Sequence, residues 1–174
     1  MRKALYFLGI LNDSDIDWLI AAGHRREIAE GVNLIDEGVP IDSVFLVIEG
    51  QFSVRMAALG TRELARLMSG EIMGEMSFVD SAPPSATVRA TERSFVLSIP
   101  RRRLNARLSE DEGFAGRFYK ALAALLAHRL RLTEAAMSGS GPAAERELDS
   151  EALDEVAVAG ARFDWIQKRL RSAS

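Results

Sequence analysis

Residues 74–90 have the sequence GEMSFVDSAPPSATVRA, in which a glycine and an acid precede a Pro-Pro turn and a short β-like run. Loops of this kind often hold a phosphate, because backbone N–H groups at the start of a helix point at the anion. No basic residue occurs in this stretch before Arg89. An anionic ligand in this loop would therefore need its balancing charge from another part of the chain.

The segment around the loop, from Val32 to Ile99, has the alternation of period two that is typical of β-strands. Turn residues separate the short apolar runs. Glu49-Gly50 stands between the two runs of SVFLVIEGQFSVRM, which indicates a hairpin. Pro100 ends the last run. Many short strands with regular turns predict a barrel or a sandwich.

Helical patterns flank the strands. On the N-terminal side, Asn12 or Asp13 can cap a helix that runs through SDIDWLIAAGHRREI. The apolar face of that helix would consist of Ile16, Leu19, Ile20 and Ile28. After Pro100, the polar segment RRRLNARLSED predicts a short helix.

A long helix is predicted from Gly113 to Met137, with a length of about 37 Å. Apolar positions recur along it at alternating spacings of four and three, which is a heptad seam. The seam consists of Phe114, Phe118, Ala121, Leu125, His128, Leu132 and Ala135. Such a helix has more apolar surface than a small barrel needs, so the seam predicts a homodimer. The alternative is a helix that packs wholly on its own barrel.

The remaining chain divides by composition. Residues 1–137 form the predicted main domain, residues 138–148 are a linker rich in Ser, Gly and Pro, and residues 149–174 are an amphipathic helix. Acids lie early in that helix and Lys168, Arg169 and Arg171 lie late, which suits the helix dipole. We expect this helix to dock either on a protein partner or on its own barrel.

Composition excludes several function classes. The chain has 174 residues, a formal net charge of −3 and no cysteine, which rules out disulfides, cysteine nucleophiles and thiolate metal sites. A net acidic chain argues against general nucleic-acid binding. No nucleophile elbow, Walker loop or metal-ligand cluster occurs, so we predict neither an enzyme nor a metal site.

We expect neither a signal peptide nor a transmembrane helix. MRKALYFLGIL is interrupted by NDSDID before any cleavage site, and no run of about 18 apolar residues exists. We expect a cytoplasmic protein without a membrane partner.

The order of four segments resembles one family. FLGILNDSDIDWLI is similar to its entry helices, EGVNLIDEGVPIDSVFLVIEGQFSV to its first strands, SGEIMGEMSFVDSAPPSATVRAT to its phosphate-binding cassette, and SFVLSIPRRRL to its last strand. This is the cyclic nucleotide-binding domain family, which includes the catabolite activator protein, the protein kinase A regulatory subunit and the cyclic nucleotide-gated channels. The resemblance covers residues 6–137.

The resemblance implies an α+β fold, namely a jelly-roll-like β-roll flanked by N-terminal helices and a long C-terminal helix. It also implies a site for a cyclic nucleotide, cyclic AMP or cyclic GMP. The sequence points to no certain cofactor. The implied ligand-binding residues are Gly74, Glu75, Met76, Ser77, Pro84, Ser85 and Ala86. Glu75 would accept a hydrogen bond from the ribose 2′-hydroxyl, and the backbone N–H groups around it would face the phosphate.

Pro84 departs from the family pattern, because it stands where the family places its phosphate-binding arginine. A charged hydrogen bond contributes roughly 1.5–3 kcal/mol, so its loss lowers the affinity by about 10- to 150-fold. Alternation places Val88 and Ala90 inside the roll and Arg89 outside it, so Arg89 is not expected to replace the missing residue. Glu75 has a second interpretation, in which it caps its own short helix.

Two functional hypotheses follow. In the first, the chain is a stand-alone sensor domain that binds a cyclic nucleotide or another small anion, with weakened or altered binding. In the second, the pocket is degenerate and the fold serves as a scaffold for dimerisation and protein interaction. Only 37 residues follow Met137. They read as a linker and one helix, so we do not expect the helix-turn-helix of the family's transcription factors.

Overall fold

The computed structural model describes residues 6–60, 62–137 and 150–172. The strands are β1 His24–Ile28, β2 Asn33–Ile35, β3 Ser43–Glu49, β4 Gln51–Arg55, β5 Glu63–Met68, β6 Ile72–Met73, β7 Thr87–Ala90 and β8 Ser94–Pro100. The helices are α1 Tyr6–Ile10, α2 Asp13–Ala22, α3 Glu75–Asp80, α4 Arg101–Glu110, α5 Glu112–Met137 and α6 Ser150–Ser172. The predicted short helix after Pro100 and the predicted long helix correspond to α4 and α5.

The described strands form two antiparallel sheets of four strands each. Their orders are β1-β8-β3-β6 and β2-β7-β4-β5, so strands that follow one another in the chain repeatedly change sheet. The side chains of Ser43 to Ile48 in β3 are all buried, because this strand has the roll interior on one face and helices on the other. The predicted α+β β-roll with flanking helices is confirmed.

The prediction of a hairpin around Glu49-Gly50 is wrong. β3 pairs with β6 and β8, whereas β4 pairs with β5 and β7 in the other sheet. Gly50 has a φ of 95°, and a Cβ atom there would lie 2.1 Å from Ser94 Oγ. The glycine therefore permits the chain to pass closely from one sheet to the other. In the sequence, such a crossing has the same pattern as a tight hairpin turn.

The predicted first helix is too long. α2 ends at Ala22, Gly23 follows it in an extended conformation, and residues 24–28 form β1 instead. All five β1 residues pair with β8, from His24 opposite Ser98 to Ile28 opposite Ser94. Ile28 is buried inside the roll rather than on a helix face. The sheet ladder overrides a helical pattern that the local sequence alone supports.

The start of α2 is fixed by a reciprocal cap. Asn12 Oδ1 accepts a hydrogen bond from the Asp15 N–H at 2.9 Å, and Asp15 Oδ2 accepts one from the Asn12 N–H at 2.9 Å. Asp15 is fully buried and also accepts two hydrogen bonds from Arg117 of α5, from Nε at 2.6 Å and from Nη2 at 2.9 Å. One carboxylate thus caps α2 and ties it to α5.

The Asp15 carboxyl group makes the free energy of unfolding depend on pH in the acid range. Burial by itself raises the pKa of Asp15, but the hydrogen bonds from Arg117 and Asn12 and the charges of Arg117 and Arg107 lower the pKa below its usual 3.8. A carboxyl whose pKa is lower in the folded state stabilises the fold above its unfolded pKa, and this contribution is lost as the pH falls. Asp15→Asn should lower the free energy of unfolding at pH 7 by about 2 kcal/mol.

Urea unfolding at several pH values checks this expectation. The difference between the wild-type protein and Asp15→Asn should be constant near neutrality and should shrink below about pH 4, as protonation removes the wild-type advantage. Parallel profiles down to pH 3 would show that Asp15 does not carry this dependence.

The core has two apolar clusters, one inside the roll and one between the first sheet and the helices. Phe118 of α5 lies in the second cluster and is 2% exposed. Its ring centroid is 5.5 Å from that of Phe7 in α1 and 5.8 Å from that of Phe78 in α3, both edge to face. Aromatic packing of this kind joins the cassette helix to α5 and the N-terminal helices.

The tail helix α6 packs against α1 and α2 of its own chain. Its buried side chains are Ala159, Phe163, Ile166 and Leu170. Arg162 donates hydrogen bonds to the Leu8 and Gly9 carbonyl oxygens at 3.0 Å, and Gln167 donates one to the Ile48 carbonyl at 2.9 Å. The sequence predicts docking of this helix either on a protein partner or on its own barrel. In the structure, α6 docks on its own domain.

The predicted linker, residues 138–148, lies outside the described residues, so the predicted division into segments stays a prediction. None of the described helices is both long enough and apolar enough to cross a membrane.

Candidate ligand-binding site

The cassette helix α3 begins at a glycine that no other residue can replace without strain. Gly74 has a φ of 82°, in the left-handed region that favours glycine. A Cβ atom at Gly74 would lie 2.7 Å from Ile41 Cδ1 and 3.2 Å from the Ser43 carbonyl oxygen. The tight start of α3 therefore depends on this glycine, which the sequence singled out.

The carboxylate of Glu75 is buried, and it is bound by an arginine from α5. Glu75 is 3% exposed, and Arg129 Nη1 donates a hydrogen bond to its Oε1 in an ion pair. Arg129 Nη2 also donates to the Ile72 carbonyl oxygen at 2.6 Å. One guanidinium therefore holds both the acid of the cassette and the strand that leads into it. We call this arrangement the Glu75–Arg129 latch.

Sequence reasoning missed Arg129, although a signal for it exists. Arg129 follows Leu125 by four residues and Phe118 by eleven, so helical periodicity places it on the inward face of α5. A charged residue on an otherwise apolar face calls for a buried partner of opposite charge. Which acid it would meet depends on how α5 crosses the roll, and a sequence does not give that crossing.

The other implied site residues lie in different environments. Ser77 is buried, Met76 is 52% exposed, Pro84 and Ala86 are half-buried, and Ser85 is exposed. The Pro84 carbonyl oxygen accepts a hydrogen bond from the Gly38 N–H at 2.8 Å, which joins the end of the cassette to the loop after β2. This main-chain bond does not depend on the Pro84 side chain.

A substitute for the missing arginine is not found on β7. Arg89 is exposed, while Val88 and Ala90 on either side of it are buried, as the alternation predicts. Arg66, on β5 of the same sheet, is exposed and pairs with Glu63 at 2.6 Å. Among the described residues, the guanidinium that reaches the acid of the cassette is that of Arg129.

Arg101 gives the cassette a second support. Arg101 to Arg103 form the first turn of α4, the short helix that the sequence predicts after Pro100. Arg101 Nη2 donates to the Ser77 carbonyl oxygen at 2.9 Å, and Nη1 donates to the Ile41 carbonyl oxygen at 3.3 Å. The exit from the last strand therefore also holds the cassette helix in place.

The predicted dimer seam runs from the core to the surface. Its first four members, Phe114, Phe118, Ala121 and Leu125, are at most 3% exposed in the single chain. His128 is half-buried and Leu132 is 39% exposed. The buried half of the seam is used by the chain's own core, as in the alternative of a helix packed on its own barrel. Dimerisation through this seam stays a prediction.

Comparison with known proteins identifies the family of this chain. Residues 25–111, half of the chain, match the family described as the cyclic nucleotide-binding domain. The chain belongs to this family. The matched range of this cyclic nucleotide-binding domain begins in β1 and includes the whole cassette.

Two curated relatives match the domain in sequence. The Pycsar effector protein PaPycTIR of Pseudomonas aeruginosa is 37% identical over 92 residues, which is 52% of this chain and 29% of that protein. The cyclic AMP receptor protein of Thermus thermophilus is 32% identical over 133 residues, which is 75% of this chain and 59% of that protein. The chain thus spans less than two thirds of the length of either relative.

A solved structure supports the same fold. The N-terminal domain of a transcriptional regulator from Streptomyces coelicolor superposes with a TM-score of 0.57 at 32% sequence identity. The superposition covers 74% of this chain and 88% of that one.

Proposed function

We propose that this cyclic nucleotide-binding domain is a non-catalytic regulatory module in which the cassette controls the position of α5 through the Glu75–Arg129 latch. The observation that carries the proposal is that one residue of α5 binds both the Glu75 carboxylate and the Ile72 carbonyl oxygen. Movement of the cassette therefore acts directly on the position of α5.

Ligand binding would change the latch. By family resemblance, the ribose hydroxyl of a cyclic nucleotide donates to Glu75, whose Oε1 atom Arg129 already occupies. A ligand shifts a conformational equilibrium only when it contacts the two states differently. Competition between the hydroxyl and Arg129 for one carboxylate supplies that difference, and the end of α5 beyond Arg129 is then released.

The chemistry of the site favours weak binding. Pro84 leaves the phosphate without the cassette arginine, so the backbone N–H groups at the start of α3 would carry the phosphate contact. Because a relative that spans most of this chain is named as a cyclic AMP receptor protein, cyclic AMP is the first ligand to test.

Calorimetry tests the proposal. Titration with cyclic AMP, cyclic GMP and cyclic di-GMP should give heat for at least one of them, with a dissociation constant in the micromolar to millimolar range. Hydrogen exchange with that ligand should then become faster in residues 130–137 of α5. No heat with any of the three at millimolar concentration would reject sensing of these ligands.

A second candidate function, a ligand-independent scaffold, is favoured by the same latch. Arg129 fills the acceptor that the family keeps for the ligand, and Pro84 replaces the residue that would bind the phosphate. Such a domain would keep α5 in one position without a ligand and would present its outer surface to a second copy.

The outer surface of α5 carries an apolar stripe suited to this role. The stripe consists of Tyr119, Ala123, Leu126, Leu130 and Met137, whose heptad-like spacings of four, three, four and seven residues are typical of a coiled-coil seam. Tyr119, Leu130 and Met137 are 49%, 60% and 83% exposed. The part of α5 that faces solvent thus offers a seam different from the one that the sequence suggested.

Leu130→Asp tests this seam. It should convert a dimer to a monomer of 19.1 kDa in sedimentation velocity without loss of helical circular dichroism, because an aspartate in the seam would be desolvated. Leu64→Asp is the matched control, since Leu64 is an exposed leucine, 42% accessible, on β5. Leu125→Asp is unsuitable, because Leu125 is 3% exposed in the chain's own core. An unchanged mass for Leu130→Asp would contradict dimerisation through the stripe.

A further inference from the structure

The short helix α1 packs against both α5 and α6. It has five residues, and a helix of this length is not stable by itself in water. The side chains of Phe7 and Leu8 are at most 3% exposed and belong to the same apolar cluster as side chains of α5 and α6. The position of α1 is therefore set by its two larger neighbours, and a change in one of them changes the surface that α1 presents to the other.

Phe118 of α5 joins α1 to the cassette helix. Its ring meets that of Phe78 in α3 at an interplanar angle of 77° and that of Phe7 in α1 at 88°, with centroid distances of 5.8 and 5.5 Å. Protein interiors are close-packed, so a buried ring cannot move without displacing the rings that it contacts. The Glu75–Arg129 latch fixes the same helix α5 to the cassette. The cassette is thus joined to α5 at two places, and one of them continues to α1.

Arg162 of α6 is bound at the junction of α1 and α2. Its Nη1 atom donates hydrogen bonds to the carbonyl oxygens of Leu8 and Gly9, both at 3.0 Å, and its Nε atom donates one to Asp13 Oδ1 at 2.9 Å. Carbonyl groups in the last turn of a helix lack partners within the helix, and a positive charge is favoured beside them. The Arg162 side chain is only 17% exposed. Because its acceptors belong to two helices, these hydrogen bonds depend on how α1 is placed beside α2.

We propose that α6 is the output element of this domain, which means that its docking changes when the cassette moves. The coupling runs from α3 through Phe118 to α1, and from α1 through Arg162 to α6. A cassette movement that shifts α5 displaces α1, weakens the hydrogen bonds of Arg162 and uncovers the apolar face of α6 that includes Phe163 and Ile166. This inference rests on the regulatory function proposed above, because it names the element on which that regulation acts.

Amide hydrogen exchange on the full chain tests this coupling without a ligand. Arg162→Gln should speed the exchange of residues 157–172 of α6 by about tenfold, measured relative to the exchange of the central strand β8. In a protein that also carries Arg129→Met, the latch is already broken and α1 is already displaced. The same Arg162→Gln substitution should there speed α6 exchange by at most about twofold, because substitutions at coupled sites are not additive.

Two control variants separate this coupling from a general loss of stability. Arg171→Gln is the matched control on α6, because Arg171 forms an exposed ion pair with Glu49 at 2.5 Å. It should change α6 exchange by the same factor whether or not the latch is intact. Arg131→Met is the control on α5, because Arg131 is exposed, and it should leave the effect of Arg162→Gln at its wild-type size.

Phe78→Leu provides a second background, in which the ring contact with Phe118 is lost and the latch is kept. It should also reduce the effect of Arg162→Gln, so the test does not depend on the stability of Arg129→Met. An equal effect of Arg162→Gln in the wild-type protein and in both backgrounds would overturn the proposal. That result rejects the coupling alone, whereas the absence of heat in the calorimetry above rejects nucleotide sensing alone.

Discussion

Pro84→Arg is expected to raise the affinity for cyclic AMP by about 10- to 150-fold, because it restores a bidentate, charge-assisted contact with two phosphate oxygens. The main chain at this position is already held by the hydrogen bond from Gly38 to the Pro84 carbonyl oxygen, which the substitution keeps. The loss of proline rigidity costs only about 0.4–1 kcal/mol of stability. The gain in binding should therefore not be cancelled by unfolding.

The matched control for this substitution is Pro83→Arg. Pro83 is exposed, and the variant adds the same charge one position earlier. It tests whether a general increase in positive charge, rather than a placed guanidinium, attracts the nucleotide. Calorimetry should show the gain only in Pro84→Arg. A folded Pro84→Arg protein without any gain would mean that another feature closes the site, and the Glu75–Arg129 latch is then the first candidate.

Arg129→Met should lower the free energy of unfolding by about 3 kcal/mol, because it leaves the buried Glu75 carboxylate without its partner. This is the lower end of the range for broken buried ion pairs, since the Arg129 side chain is itself 28% exposed. For a chain of this size, the melting temperature should fall by about 6–12 °C.

A double-mutant cycle separates the latch from simple loss of packing. Adding Glu75→Gln to Arg129→Met removes the unpaired charge, so the double variant should be more stable than Arg129→Met alone. Arg131→Met is the matched control on the same helix, because Arg131 is exposed, and it should change stability by less than about 0.5 kcal/mol. Additive effects of the two latch substitutions would show that Glu75 and Arg129 do not stabilise one another.

The two substitutions also bear differently on the two candidate functions. A sensor should bind a nucleotide in its wild-type form and respond in α5. A scaffold should bind none, should keep its dimer without ligand, and should still depend on the latch for stability. Pro84→Arg then reports whether the pocket remains able to bind a nucleotide.

Much of the fold follows from local patterns in the sequence. The alternation from Val32 to Ile99 predicts strands, and the apolar period after Gly113 predicts a long helix, because each pattern repeats over many residues. The two errors occur where local sequence is ambiguous. Gly50 suits a hairpin and a sheet crossing equally well, and HRREI reads as the end of a helix until β8 pairs with it.

The residues of the candidate site also differ in whether the sequence predicts them. Gly74 and Glu75 are recognisable from their order in the chain, since the left-handed start of α3 needs a glycine. Arg129 lies 54 residues beyond Glu75, and its role as partner depends on where α5 crosses the roll.

The sequence by itself predicted short strands in a barrel or a sandwich and a long helix, because these depend on residue type and short spacing. The order of its segments gave the family resemblance, which implies the β-roll, the cassette and the arginine that Pro84 replaces. Only the tertiary structure decided which face of α5 is buried, where α6 packs and which charge neutralises Glu75. Those features come from contacts between segments far apart in the chain. A short-range pattern can show that a charge or an apolar face needs a partner, but packing alone selects the partner.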